Sequence, residues 1–140
     1  MLYKILGYAG LIPFLALAGL SHVALFEWEA QLVLLSYAAM IFSFLGGVLW
    51  GASVISVRDE EPSMGVLWIS VVSMLWAWGW LLGAFWWPEF NFLWLASVSF
   101  LLLWFYETHA MAKTFPFFFV RLRRDLSWVA ALSLFIGGWA

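Results

Sequence analysis

The chain has no cysteine and few charged residues. Without cysteine it has no disulfide, no thiolate nucleophile and no cysteine-ligated metal centre. Charged residues make up 10% of its 140 residues, against about 25% in a typical soluble domain. The longest polar interruption, residues 57–63, is too short to fold as a domain of its own. The sequence therefore excludes a separate aqueous catalytic domain.

Most of the chain is hydrophobic. They make up 66% of the chain, and the mean hydropathy is +1.00. Apolar runs long enough to cross a bilayer cover residues 3–25, 29–56, 64–87, 90–112 and 116–139. Because the connectors are short, consecutive helices are expected to be antiparallel neighbours. The sequence predicts an all-α integral membrane protein in which residues 1–140 form a single domain, a five-helix transmembrane bundle.

Two prolines affect the shape and the limits of the predicted helices. Pro13 follows Gly7 and Gly10 in the first run, and it is expected to bend that helix because it removes a backbone hydrogen bond. Pro116 is placed in the first turn of the last helix, where proline is tolerated. Residues 126–140 alone would span only about 22 Å at 1.5 Å per residue. Starting the last helix at Pro116 therefore restores a full span.

The basic residues predict the orientation of the bundle. With five helices and a cytoplasmic N-terminus, all six lie on the cytoplasmic side, as the positive-inside rule expects. They are Lys4, Arg58, Lys113, Arg121, Arg123 and Arg124. The C-terminus is then expected outside. The first run, with Ala16 and Ala18, also imitates a signal peptide, but it continues to Phe26 and is predicted to be a retained helix.

Small residues recur at helical spacing in the second apolar run. Together with the indole of Trp50, these small residues are predicted to form a groove on one face of the helix. Its residues are Ala39, Ser43, Gly46, Gly47, Trp50 and Gly51. Such a stripe lets a second helix approach closely in a membrane bundle. The alternative is a pocket for a flat or acyl ligand, with Ser43 as its polar contact and Trp50 closing its cytoplasmic end. Both interpretations predict damage from Gly47→Leu.

Tryptophan is unusually frequent, with 12 in the chain. Trp28, Trp86, Trp87, Trp94 and Trp139 are near the expected outer boundary of the bilayer, where indoles are enriched. The middle of the third run carries a second group, predicted to form an aromatic wall: Trp76, Trp78 and Trp80. This wall either fills the bundle core or contacts a partner subunit, or it stacks on a quinone, porphyrin, carotenoid or sterol.

A basic cluster with neighbouring phenylalanines is predicted near the cytoplasmic surface. It consists of Lys113, Arg121, Arg123 and Arg124, around Phe115 and residues 117–119. Aromatic rings insert at a bilayer surface while basic side chains reach anionic headgroups. The cluster is therefore expected to bind anionic lipid headgroups on the cytoplasmic side. A more specific alternative is that it forms a site for one particular lipid or a docking surface for a neighbouring subunit.

The remaining polar residues give no catalytic constellation. His22 and His109 are expected at opposite ends of the bundle, about 30 Å apart, so they cannot ligate one metal ion. Glu107 is expected at the edge of the hydrocarbon with its charge solvated. No nucleophile with a base, paired carboxylates, metal cluster or phosphate loop is present. We expect no catalytic residue, no metal, and no cofactor other than a bound lipid or small hydrophobic molecule.

Three segments carry a resemblance to a known family. They are GYAGLIPF (residues 7–14), IFSFLGGVLWG (residues 41–51) and FFFVRLRRDLSWV (residues 117–129). With these segments the chain resembles the domain-of-unknown-function 3429 family. The resemblance implies five helices and an inner-membrane location. It implies no activity, because the family has none assigned.

The expected function is that of a non-catalytic, multi-pass inner-membrane protein. It would be an accessory, assembly or structural subunit that packs against other membrane-protein subunits or against itself, with no nucleic-acid partner. The alternative is a binding protein or carrier for a small hydrophobic ligand. A third hypothesis is a membrane enzyme with Glu107 and His109 as acid and base. A channel is not expected, because no helix has a continuous polar stripe.

Overall fold

The computed structural model describes residues 2–23, 27–56, 64–110 and 117–139. Within these ranges the chain is helical and contains no strand. The helices are α1 (Leu2–Ala9), α2 (Ile12–Leu20), α3 (Glu27–Ser56), α4 (Met64–Trp86), α5 (Phe92–Ala110) and α6 (Phe117–Gly138). The predicted all-α class is confirmed.

The first predicted helix is broken into α1 and α2. Pro13 lies at the start of α2, where it has no N–H to donate and crowds the carbonyl one turn earlier. The backbone still follows a helical path through the break, because Gly10 N donates to Leu6 O at 3.1 Å and Leu11 N donates to Tyr8 O at 3.0 Å. Where the sequence predicted a bend, the structure therefore has a short break between two helical segments.

The boundary between α4 and α5 shows how local sequence ends one helix and begins the next. Pro88 follows the end of α4 closely and cannot donate a helical hydrogen bond. Asn91 precedes α5, and its Oδ1 accepts from Trp94 N at 3.3 Å, which is the geometry of a helix N-cap. Because Asn91 is the cap, α5 begins at Phe92 and not at residue 90 as predicted.

The other helix limits also differ in detail from those predicted. α2 ends at Leu20, before the predicted residue 25, and α3 begins at Glu27, two residues before the predicted start. The predicted start at Pro116 and the predicted end at residue 112 lie outside the described residues.

α3 is the central helix of the bundle. It packs most extensively on α4 and also contacts α2, α5 and α6, while α5 and α6 form the second close pair. The side chains of Leu34, Ala38, Ala77, Ala96 and Leu134 are completely buried between these helices. The close pairing of α3 with α4 and of α5 with α6 agrees with the short connectors.

The outside of the bundle is apolar as well as the inside. One face of α4 carries exposed side chains, and we call it the exposed α4 face: Met64, Trp68, Val71, Leu75, Trp78 and Phe85. Two helical stretches in the described residues, Ala30–Ile55 and Met64–Trp86, are long and apolar enough to cross a membrane. Lys4–Leu20 is a shorter apolar segment. A surface of this kind is suited to lipid or to a protein partner.

Candidate functional site

The closest approach between α3 and α4 is at Gly46. A Cβ built on Gly46 would lie 2.6 Å from Ser70 O and 3.1 Å from Ser73 Cβ. The hydroxyls of Ser70 and Ser73 donate back to their own helix, to Val66 O and Ile69 O at 2.8 and 2.7 Å. These small residues leave no polar group unpaired at the contact. The inner edge of the predicted groove is therefore occupied by another helix.

The rest of the predicted groove does not face the same neighbour. Ala39 is buried, Ser43 and Gly51 are half-buried, and Gly47 is exposed. A Cβ on Gly47 or Gly51 would meet no other atom within 4 Å. Ser43 Oγ donates to Ala39 O at 2.9 Å within its own helix. The small-residue stripe is thus divided between a packed edge and an open edge.

Trp50 does not close the groove as predicted. Its side chain is 46% exposed, and it follows Gly47 on the open side of α3. The side of the helix explains this difference, because Leu49 and Ser53 at the same level of α3 are buried while Trp50 points away from them. The close contact is at Gly46, not at Gly47, where the sequence predicted the damage from a larger residue.

The predicted aromatic wall is not one surface. Trp80 is 1% exposed and belongs to a buried aromatic core with side chains from α2, α3 and α5. We define this aromatic core as Phe14, Tyr37, Phe42, Trp80 and Phe100. Ring centroids are 4.9 Å apart for Phe42 and Trp80, and 5.3 Å apart for Phe42 and Phe100. The interior of the bundle is filled by these rings.

Trp76 and Trp78 are at the surface of α4. Trp76 is half-exposed, and its Nε1 donates to Ser99 Oγ on α5 at 2.9 Å. Trp78 is 58% exposed. Residues 76, 78 and 80 cannot share a face because successive residues turn by about 100° around a helix. The expectation of a common wall therefore fails, and only Trp80 fills the core.

Arg123 is buried, which corrects the prediction that it reaches lipid headgroups. Its Nη2 donates to Glu107 Oε2 at 2.6 Å, and its Nη1 donates to Ser127 Oγ at 3.1 Å. Glu107 is 3% exposed, so the expectation of a solvated carboxylate is also wrong. The pair joins α5 to α6 near their shared connector. Burial in an apolar bundle requires the two charges to neutralise each other.

The other members of the basic cluster have different surroundings. Arg121 and Arg124 are exposed, and Arg124 lies beside Asp125 with Nη2 3.3 Å from Oδ1. Asp125 Oδ2 also accepts from the Tyr8 hydroxyl at 3.0 Å, which connects α1 to α6. Lys113 lies outside the described residues. Exposed Arg121 and Arg124 remain candidates for contact with anionic headgroups.

The two histidines contact backbone carbonyls. His22 Nε2 donates to Ile136 O at 2.8 Å, and His109 Nδ1 donates to Phe105 O at 3.0 Å. Within the described part of the chain, no group of three or more His, Asp or Glu side chains could hold a metal ion. Glu107 and His109 point away from a common reacting centre, because side chains two positions apart lie on different sides of a helix.

Side chains cap the C-terminal end of α6. Four carbonyls at this end accept hydrogen bonds from side chains of three separate segments: Phe135 O from Trp94 Nε1, Ile136 O from His22 Nε2, Gly137 O from Gln31 Nε2 and Gly138 O from Asn91 Nδ2. The distances are 3.1, 2.8, 3.0 and 2.8 Å. Protein donors thus replace water at this end of the bundle.

Glycines allow this capping. A Cβ on Gly137 would lie 2.6 Å from Leu34 Cδ2, and a Cβ on Gly138 would lie 2.6 Å from Trp94 Cδ1. A larger residue at either position would push α6 away from its donors. The C-terminal Gly-Gly pair is therefore a packing requirement.

A cavity of about 220 Å³ lies beside the capped end of α6. We call it the outer pocket, and the described residues that line it include Gln31, Ala84, Glu89, Asn91, Leu93 and Gly138. Trp86, Trp87, Phe90 and Phe92 line an adjoining open trough, which shares residues 88–90 and 92 with the pocket. The sequence prediction named none of these residues as a site, other than the tryptophans placed at the boundary.

The match to a known family covers almost the whole chain. The family described as Protein of unknown function (DUF3429) matches residues 2–138. The chain belongs to the DUF3429 family. The resemblance predicted from the sequence is thereby confirmed.

A curated relative extends this assignment. Transmembrane protein 69 of Xenopus tropicalis is 35% identical to the DUF3429 chain over 130 residues. The alignment covers 92% of the chain and 50% of the relative, so the chain spans about half the length of that protein. No solved structure matches the chain. With its apolar helices, the chain is a membrane protein of a family whose function is unknown.

Two features of the DUF3429 chain were missed by sequence reasoning. Glu107 and Arg123 carry opposite charges on consecutive antiparallel helices at similar distances from their connector, and this pairing could have been predicted. The convergence of His22, Gln31 and Asn91 on α6 could not, because it depends on the relative positions of four helix ends.

Proposed function

We propose that the DUF3429 chain is a non-catalytic subunit that acts through helix packing in a membrane. In this proposal the pair α1–α2 forms one span of a cell inner membrane, and helices α3, α4, α5 and α6 form the other four. The N-terminus is cytoplasmic and the C-terminus lies outside. The chain assists the assembly or stability of other membrane-protein subunits, or of a second copy.

The observation that carries this proposal is the contact at Gly46. The small residues of α3 bring α4 so close that a Cβ on Gly46 would be 2.6 Å from Ser70 O. The aromatic core fills the space between α2, α3, α4 and α5. These features favour packing over a ligand pocket in the interior, because no room is left beside the closest part of the stripe.

The exposed α4 face supports a protein partner. Trp68 and Trp78 are 65% and 58% exposed, although both are in the same helix as the buried Trp80. Indoles supply large contact areas at protein interfaces. The proposal places a partner helix against this face within the bilayer.

The distribution of charge supports the orientation. Lys4 and the arginines of α6 are at the end of the bundle where α1 and α6 begin. The opposite end carries Glu89 and the capped end of α6. A cytoplasmic basic end agrees with the positive-inside rule.

Purification at native expression level tests this proposal. The DUF3429 chain is extracted in mild detergent after chemical crosslinking, and the molar mass of the protein component is measured by light scattering. We expect a complex of defined composition that is heavier than the 16.0 kDa chain. A homogeneous monomer both with and without crosslinking would contradict the proposal. The alternative, a carrier of a hydrophobic ligand along the open edge at Gly47, predicts instead a stoichiometric small molecule in the mass spectrum.

A further inference from the structure

The contact between α5 and α6 contains two buried polar atoms that have no hydrogen-bond partner among the described residues. They are Glu107 Oε1 and Arg123 Nε. Glu107 is 3% exposed and Arg123 is 5% exposed, so bulk solvent cannot serve as the partner of either atom. Buried donors and acceptors in folded proteins are almost always paired, either with protein or with ordered water. The ion pair therefore offers one unused donor and one unused acceptor.

The hydrogen bond that does form places these two atoms beside each other. Arg123 Nη2 donates to Glu107 Oε2 at 2.6 Å. Nε is bonded to the same carbon as Nη2, and Oε1 is bonded to the same carbon as Oε2. A guanidinium group can donate to a carboxylate through two parallel N–H groups. Here one bond of such a pair is present, and the unused donor and acceptor flank it.

The third nitrogen of Arg123 already has a partner. Nη1 donates to Ser127 Oγ at 3.1 Å, and Ser127 is 1% exposed. Glu107 and Ser127 thus account for both terminal nitrogens of the guanidinium group. What the site still requires is one group that accepts a hydrogen bond from Nε and donates one to Oε1.

Charge and size decide which molecule meets that requirement. The ion pair is neutral as a whole, so an added cation would be repelled by Arg123 and an added anion by Glu107. A neutral molecule that both donates and accepts avoids either repulsion. A lipid headgroup is too large to reach atoms on side chains that are 3% and 5% exposed. Water is small, neutral, a donor and an acceptor.

The site lies close to one end of the bundle. Glu107 is three residues before the last residue of α5, Ala110, which is about 4.5 Å along the helix axis. Arg123 is six residues after the first residue of α6, Phe117, which is about 9 Å along that axis. Water can therefore reach the pair from this end without crossing the aromatic core.

We propose that one ordered water molecule bridges Glu107 and Arg123 inside the bundle. It accepts from Arg123 Nε and donates to Glu107 Oε1, which gives it two of the two to four hydrogen bonds usual for a buried water. The α5–α6 contact is then a hydrated ion pair, and the water is part of the protein structure. This inference rests on the α5–α6 contact alone and not on the packing function.

Solid-state NMR of the full chain in lipid tests the proposal. Magnetisation is transferred from water protons to side-chain ¹⁵N, and the Arg123 Nε signal is identified as the one lost in Arg123→Lys. Trp80 Nε1 is the matched control, because it is also buried and without a hydrogen-bond partner, but its ring packs on Phe42. We expect transfer to Arg123 Nε and none to Trp80 Nε1.

A pair of variants then tests the role of the carboxylate. Glu107→Gln replaces one carboxylate oxygen with an N–H donor, so the water loses its acceptor and transfer to Arg123 Nε should be lost. Glu89→Gln makes the same change at an exposed carboxylate at the other end of the bundle and should leave the transfer unchanged. An unaltered Trp80 Nε1 chemical shift shows that the core of each variant is intact.

The absence of transfer to Arg123 Nε in the unaltered chain would overturn the proposal, and so would equal transfer to Trp80 Nε1. Undiminished transfer in folded Glu107→Gln would also overturn it, because the water would then not depend on the carboxylate. If Glu107→Gln does not fold, the comparison of Arg123 with Trp80 in the unaltered chain decides. None of these results concerns the packing function, which fails instead if the native protein is a monomer.

Discussion

At the scale of single residues, two adjacent glycines in α3 have opposite surroundings. Gly46 faces Ser70 and Ser73 across the contact with α4, whereas Gly47 faces open space. Glycine is required at Gly46 for close approach and is merely permitted at Gly47. The sequence grouped both residues in one stripe, because helical spacing alone cannot show which edge meets a neighbour.

The variants Gly46→Ala and Gly47→Ala form a matched pair that tests this difference. Gly46→Ala is expected to destabilise the bundle by about 1–3 kcal/mol, since the added methyl group meets the backbone of α4. Gly47→Ala is expected to be neutral, or to stabilise by up to about 1 kcal/mol through helix propensity. Thermal unfolding in detergent compares the two. Equal unfolding temperatures would contradict the close contact at Gly46.

The buried Glu107–Arg123 pair gives a second prediction at this scale. Removing one charge by Arg123→Met or Glu107→Leu should destabilise the bundle by about 3–5 kcal/mol, because the other charge stays buried without a partner. The double variant should recover most of that loss. A double-mutant cycle of unfolding free energies measures the coupling. Additive losses would show that the two side chains do not interact.

At the scale of elements, side chains hold the helix ends. Asn91 holds two of them, since its Oδ1 caps its own helix α5 while its Nδ2 donates to the end of α6. The existence and approximate length of the helices could be predicted from apolar runs. The capping of α6 could not, because Asn91 and Gln31 are distant from α6 in the sequence.

Asn91→Ala is expected to loosen two helix ends together. Loss of the cap and of the bond to Gly138 should cost about 1–2 kcal/mol. Hydrogen exchange should increase at the first turn of α5 and the last turn of α6. Trp94→Phe, which removes only the bond to Phe135 O, serves as the control and should affect α6 alone. Faster exchange confined to α5 in Asn91→Ala would argue against its role at α6.

At the scale of the whole molecule, all-helical architecture and the central place of the second apolar run follow from the sequence. The break at α1–α2 was also indicated, through Pro13. Helical geometry alone separates Trp78 from Trp80, but it does not separate Trp76 from Trp80, which project about 40° apart although one is half-exposed and the other buried. The exposed α4 face and the outer pocket emerge only when the helices are assembled.

The absence of native cysteine allows a direct test of orientation. Single cysteines in place of Glu89 and Arg124 lie at opposite ends of the bundle. In sealed right-side-out vesicles, an impermeant maleimide should label Glu89→Cys and should label Arg124→Cys only after the membrane is opened. Inside-out vesicles should give the reverse. Labelling of both variants from one side would contradict the proposed five-span topology.

Site-specific photocrosslinking in native membranes tests the central claim most directly. A photoreactive phenylalanine derivative replaces Trp78 on the exposed α4 face or, as the control, Leu102 on α5, which is similarly exposed. We predict one discrete protein adduct of the same mass in every preparation from Trp78 and none from Leu102. Lipid adducts alone at Trp78, or identical adducts from both positions, would contradict a packing function for this face.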